Sequence, residues 1–193
     1  LNDPDLKNLG RFHNRANAVS AFYRAQQAQF PNINLDLMFG APNQTLVGWD
    51  STLDQAITLA PNHFSVYGLT VESGTAFSRR LQKGQLLLPL EAEQAEMYKV
   101  TQEKLVNAGY LHYEVSNFAH PGFFSQHNLN TWKRRPYIGL GLSAHSFLNG
   151  CRFWNIQNLS AYLERIEFEG TAIQEWERLN KQDQLLERVM LGL

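Results

Sequence analysis

The sequence predicts an α/β chain in which a parallel sheet is covered by helices, in the manner of a barrel. Three observations carry this. The run Ile33-Asn34-Leu35-Asp36-Leu37-Met38-Phe39 reads as a strand that Gly40 and Pro42 end sharply. One helical segment precedes it and another follows, which is the pattern of a sheet packed under helices. A second strand, His63 to Thr70, comes after the second helix. Helix, strand, helix, strand makes parallel pairing through right-handed crossovers the default.

Taken in order, Asp3-Pro4 starts a short helix with Leu6 and Leu9 on one side, and Gly10 ends it. Arg11, His13 and Asn14 lie in the turn. Ala16 to Phe30 is a helix with Ala18, Ala21, Phe22 and Ala25 inward. Along the first strand, alternation puts Ile33, Leu35 and Leu37 on one face and Asn34 and Asp36 on the other. In a barrel the polar face points inward, where a carboxylate is costly without a partner. An Asp36 bonded only to nearby backbone is the plain alternative. Asn43-Gln44-Thr45 caps a helix to Ala60, with Trp49, Leu53, Ile57 and Leu59 as contacts.

After the second strand, Gly74 to Gly84 holds a short helix with a solvated basic side, Arg79, Arg80 and Lys83. Glu91 to Ala108 is a long helix with Ala95, Tyr98, Leu105 and Val106 inward, stopped by Gly109. Tyr110 to Ala119 reads as a strand that turns into a polar loop. Ser125 to Trp132 reads as polar loop, and Cys151 to Asn155 as a strand. Asn158 to Phe168 and Lys181 to Met190 are amphipathic helices. Glycines alternate with apolar residues from Gly139 to Leu142, which allows another backbone or a ligand to approach closely.

Composition limits the function classes. The 193 residues suggest one domain, or one domain and a piece of another. A net charge of −1 gives no nucleic-acid footprint and no electrostatic membrane anchor. Cys151 is the only cysteine, so no internal disulfide forms. No apolar run spans a bilayer and no signal peptide opens the chain, which fits a cytoplasmic setting. The chain starts on Leu1 without methionine and stops after an apolar helical pattern, so it is read as a piece of a longer protein.

The six histidines and one cysteine show no metal-site spacing. Gly139 and Gly141 form a lone GxG, weak support for a phosphate loop. His127, with Trp132 five residues on, could ligate haem iron or stack on a flat ligand. It could equally be bonded to backbone, and the same holds for His145. Glu114 could bond the turn at Ser116-Asn117. Arg11 could pair with Asp36, grip a ligand carboxylate, or sit on the surface.

Several ordered strings resemble one family. Leu9-Gly10-Arg11-x-His13 and Asn34-Leu35-Asp36-Leu37-Met38-Phe39-Gly40-Ala41-Pro42-x-Gln44-Thr45 resemble radical S-adenosylmethionine (SAM) proteins related to oxygen-independent coproporphyrinogen III oxidase. Ser65-Val66-Tyr67-Gly68-Leu69-Thr70-x-Glu72-x-Gly74-Thr75, Tyr113 to Ala119 and Gly139 to Ser146 are similar to the same family. His127-Asn128-Leu129-Asn130-Thr131-Trp132 resembles the HNxxYW motif of its HemW branch, a haem-chaperone branch, with Thr131 in place of the usual tyrosine.

The resemblance implies the C-terminal part of an incomplete, open, TIM-like parallel α/β barrel of the radical SAM type, with added strands and helices. It implies a later barrel part over residues 1–109, a family-specific region over 110–179, and the start of a C-terminal helical domain over 180–193. It implies that Arg11, Asp36, Thr70 and His145 contact SAM, and that His127 and Trp132 contact haem. It also implies a [4Fe–4S] cluster whose cysteines this chain lacks, so the isolated chain is expected to bind no cluster and to show no radical chemistry. The function implied is haem chaperone; the alternative is coproporphyrinogen III oxidase, which leaves enzyme status open. Implied partners are haem or porphyrin and haem-accepting proteins, with room for a homodimer and for weak membrane association through partners, and without nucleic acid.

Overall fold

The structure is a computed structural model and describes residues 1–192. The chain divides into two compact units, residues 1–124 and the part from Ser125 onward. The hairpin that follows residue 110 pairs into the first sheet and so belongs to the first unit.

The first unit opens with α1 (Asp3–Asn8) and α2 (Arg15–Gln27), then β1 (Asn34–Phe39), α3 (Leu46–Thr58) and β2 (His63–Gly68). It continues with α4 (Ala76–Gln82), α5 (Glu91–Asn107), β3 (Leu111–Glu114) and β4 (Asn117–Ala119). The sheet order is β1-β2-β4-β3. β1 and β2 are parallel, from Asn34 opposite His63 to Phe39 opposite Gly68. The expected single strand over 110–119 is instead the β3–β4 hairpin, antiparallel within itself and to β2. Its turn is closed by Asn117, whose amide donates to the Glu114 carboxylate.

In-register parallel neighbours share a face of the sheet. Asn34, Asp36 and Met38 therefore stand beside His63, Ser65 and Tyr67, and Leu37 and Phe39 point the other way with Phe64 and Val66. The apolar face packs under α3 and α5, in a core of Leu37, Phe39, Trp49, Leu53, Phe64, Val66, Met97, Leu105, Tyr110 and Phe118. Each fully buried large side chain contributes about 1.5–3 kcal/mol. The Trp49 indole donates to Met97 O at 3.1 Å and Thr101 Oγ1 at 2.9 Å, tying α3 to α5. Burial alone would lower the Lys104 pKa, but bonds to Asp50 and Asp54 at 2.7 Å outweigh it and hold it above the usual lysine range.

The inward stripe of α5 runs through Met97, Thr101 and Leu105, a strict i, i+4 row. Ala95 and Val106, expected inside, are exposed, as is Ala21 on α2, where Phe22 alone is buried. Gly109 stops α5 at φ +89°, with the Tyr110 N–H returning to Leu105 O.

The second unit contains α6 (Gln126–Trp132), β5 (His145–Leu148), β6 (Cys151–Asn155), α7 (Leu159–Glu169), β7 (Ile173–Arg178) and α8 (Lys181–Gly192). Its sheet is antiparallel, β5-β6-β7. β7 was not expected, since Ile173-Gln174-Glu175-Trp176-Glu177-Arg178 is mostly polar and exposed. The expected loop over 125–132 is α6, capped by the Ser125 hydroxyl, which accepts from Asn128 N at 3.3 Å. α8 is held by Glu187, paired with Arg134 at 2.9 Å and with Arg152. The close backbone approach expected of the glycine run occurs at Gly139, where a Cβ would stand 2.2 Å from the His145 carbonyl oxygen. Among the described residues no helix is long and apolar enough to cross a membrane.

Candidate functional site

The polar face of the first sheet carries the chemistry. Its C-terminal edge meets the loop from Gly40 to Thr45, which Gln44 organises. The Gln44 amide accepts from Ala41 N at 3.3 Å and donates to Asp5 on α1 at 3.0 Å. Asn8 adds a bond to Pro42 O at 2.8 Å. α1 is thus fastened to the strand exit. At its end Gly10 takes φ +69°, and the N–H groups of Gly10 and Arg11 return to Lys7 O and Leu6 O, both at 2.9 Å. That cap delivers Arg11 beside the strand.

A cavity of about 480 Å³ lies there, lined by Arg11, His13, Asp36, Gln44, Trp49 and Tyr67 together with Leu1, Leu6 and Leu9 in and around α1. Arg11 and Asp36 therefore come together, as expected, although among the described residues no ion pair joins them. The cavity combines a fixed cation, a carboxylate, aromatic walls and an apolar side, which suits a ligand with a nucleoside and a charged tail. Thr52 also lines it, and its hydroxyl is buried without a hydrogen-bond partner. Thr70 follows β2, exposed and outside this lining.

The cost expected for a buried Asp36 does not arise, because Asp36 is exposed on an open sheet face. Nor is it bonded only to backbone. Asn34, two residues earlier on the same face, donates from Nδ2 to Asp36 Oδ1 at 2.6 Å. Asn34 Oδ1 lies 2.6 Å from His63 Nδ1, and His63 Nε2 lies 2.6 Å from the Tyr113 hydroxyl. Ser65 Oγ bridges the Asn34 amide, at 3.1 Å from Nδ2 and 3.3 Å from Oδ1. Burial lowers the His63 pKa, while the Glu114 and Asp36 carboxylates oppose that. Sequence reasoning passed over His63, Tyr113, Asn34 and Ser65 as a group. The alternation His63, Ser65, Tyr67 against Phe64 and Val66 was the available signal.

In the second unit, His127 sits exposed in the first turn of α6, edge-on to Tyr137 with ring centres 6.5 Å apart. Five residues along a helix is a rotation of about 140°. Trp132 therefore faces elsewhere, into a cavity with Leu129, Arg134, Phe147 and Arg188. His145 opens β5 in this unit, stacked on Trp154 at 5.5 Å. Cys151 is half-buried. Among the described residues no group of three or more His, Cys, Asp or Glu is placed to hold a metal ion.

No protein-family model matches the chain. It is 38% identical over 191 residues to the Bacillus subtilis protein named heme chaperone HemW, covering 99% of this chain and 50% of that protein. It is 37% identical over 193 residues to the Lactococcus lactis heme chaperone HemW, covering 100% of this chain and 50% of that protein. The chain thus spans half the length of these curated relatives. Among solved structures it superposes on coproporphyrinogen III oxidase (HemN) from Escherichia coli, described as a radical SAM enzyme, with a TM-score of 0.83 at 21% identity. That match covers all of this chain and 47% of the other, and at this identity it carries the fold.

Proposed function

We propose that this chain, 37–38% identical to proteins named heme chaperone HemW over half of their length and sharing the fold of part of a radical SAM enzyme, is HemW-like and of the radical SAM type, and that it handles haem as part of a chaperone. The observation that carries this reading is His127. Its imidazole stands exposed on a capped helix, within the His127-to-Trp132 motif, beside the Tyr137 ring. An exposed imidazole is a good axial ligand for haem iron. Trp132, on another side of α6, lines a cavity with Leu129, Phe147 and Arg188 and is the second haem contact of this reading. The partners in this reading are haem and a haem-accepting protein.

Asp36 and Arg11 are assigned to SAM. In their cavity Asp36 offers a carboxylate acceptor to ribose hydroxyls, and Arg11 a guanidinium to the cofactor's carboxylate. Thr70, just after β2, and His145, at the start of β5 and stacked on Trp154, are the further SAM contacts of this reading. When bound to a [4Fe–4S] cluster, SAM supplies radical chemistry. A single cysteine, Cys151, cannot hold such a cluster. This chain's own residues bind and orient.

Haem titration tests the reading. The native chain should give a shifted Soret band, and His127→Ala should weaken haem binding by about tenfold or more, the loss of a metal–ligand bond. Trp132→Ala should leave the band position unchanged. Equal affinity in native and His127→Ala forms would remove the basis for the haem assignment. Decarboxylation of coproporphyrinogen III by the longer protein would select the oxidase instead.

A further inference from the structure

The bonds around Asn34 have only one consistent direction. The Asn34 amide nitrogen donates to Asp36 Oδ1 and so faces the carboxylate. The amide oxygen then faces His63, and His63 Nδ1 must carry the hydrogen. In the neutral imidazole Nε2 is an acceptor, so the Tyr113 hydroxyl donates to it. Three bonds of 2.6 Å thus run from Tyr113 through His63 and Asn34 into Asp36 Oδ1. His63 is 5% exposed and can accept little help from water. The Tyr113 ring is itself stacked on Phe124, with centres 4.6 Å apart. The far end of the chain is therefore anchored in packing, and the near end is a carboxylate lining a cavity.

We propose that His63 is a positioning residue which, with Tyr113 behind it, locks the Asn34 amide and so turns Asp36 to present Oδ2 to a hydroxyl of the cavity's ligand. The proposal rests on the reading that this cavity takes a nucleoside-bearing ligand. Asp36 Oδ1 is engaged by Asn34, and among the described residues Oδ2 has no donor. A carboxylate held by one oxygen and free at the other offers a fixed acceptor for a ribose hydroxyl. Left to rotate, it would lose orientation on each binding event. Ser65 steadies the same amide from the side, so the lock is shared between β1 and β2.

Two kinds of measurement test this. Imidazole ¹⁵N shifts on the native chain should show the Nδ1–H tautomer at His63, becoming mixed in Tyr113→Phe. An Nε2–H tautomer in the native chain overturns the proposal whether or not any ligand binds. S-adenosylhomocysteine is the probe for binding. Tyr113→Phe and His63→Phe should each weaken it about tenfold, the size of effect expected when a group behind a ligand contact is removed. The double variant should bind no more weakly than His63→Phe, because Tyr113 acts only through the imidazole. Additive losses, or unchanged affinity in Tyr113→Phe with its fold intact by circular dichroism, refute the positioning role. Tyr113→Phe keeps the ring and its stacking, so it remains informative if His63→Phe fails to fold. If the native chain binds no S-adenosylhomocysteine, the nucleoside reading fails. The lock is then decided by the tautomer and by whether the Asp36 carboxyl ¹³C shift moves in Tyr113→Phe.

Discussion

Gly139 and Gly141 belong to one short run and should fail for different reasons when given a methyl group. At Gly139 a Cβ would sit 2.2 Å from His145 O and 2.9 Å from His145 C. Both are backbone atoms of β5, so no rotamer change relieves the clash. The strand must separate from residues 137–139, breaking the paired bonds between Tyr137 and Phe147 at 2.9 Å. The bond from Gly139 N to Ser146 Oγ at 3.0 Å goes with them. Overpacking against rigid backbone costs about 3 kcal/mol, at the upper end of its usual range. At Gly141 nothing lies within 4 Å, but φ is +98°. There the cost is conformational, about 1–2 kcal/mol. With a urea dependence of about 1 kcal/mol per molar for a unit this small, Gly139→Ala should lower the midpoint by about 3 M and Gly141→Ala by about 1–2 M. Three of the four tryptophans, Trp132, Trp154 and Trp176, lie in the second unit, so fluorescence follows its unfolding. Equal midpoints for native and Gly139→Ala chains would refute the close approach of these backbones.

Two further outcomes follow from the first unit. Trp49→Phe keeps most of the buried ring but loses the bonds to Met97 O and Thr101 Oγ1, and should cost about 2 kcal/mol by chemical denaturation, one hydrogen bond plus a small cavity. A loss under about 0.5 kcal/mol would mean that the indole N–H contributes nothing net. Burial holds the His63 pKa below its unfolded value, so between the two the unfolded chain binds more protons. Stability from this group is complete above about pH 6.5 and is lost as pH falls toward the folded value. That slope should vanish in His63→Phe, and its persistence there would assign it to another group.

The sequence by itself determined what depends on neighbours along the chain. Alternation in Asn34 to Phe39 set which side chains share a face, whatever the strand paired with. Thr45 capped α3 through its own hydroxyl, Gly109 ended α5, and the order of α3 between two strands made β1 and β2 parallel. The His127-to-Trp132 run was legible as a motif for the same reason. What it could not give was anything fixed by partners distant in the chain. Residues 110–119 have enough apolar alternation for one strand, and only pairing of β4 with β2 decides that they fold back as a hairpin. α6 and β7 are weak by local preference and persist because of a cap and a neighbouring strand. Asp36 was visible as a carboxylate on a polar face, but its aim was not. It depends on a register that sets His63 opposite Asn34 and on a hairpin that brings Tyr113 to the imidazole across fifty residues. Hydrogen bonds act over about 3 Å, and only the folded sheet brings those atoms within that distance.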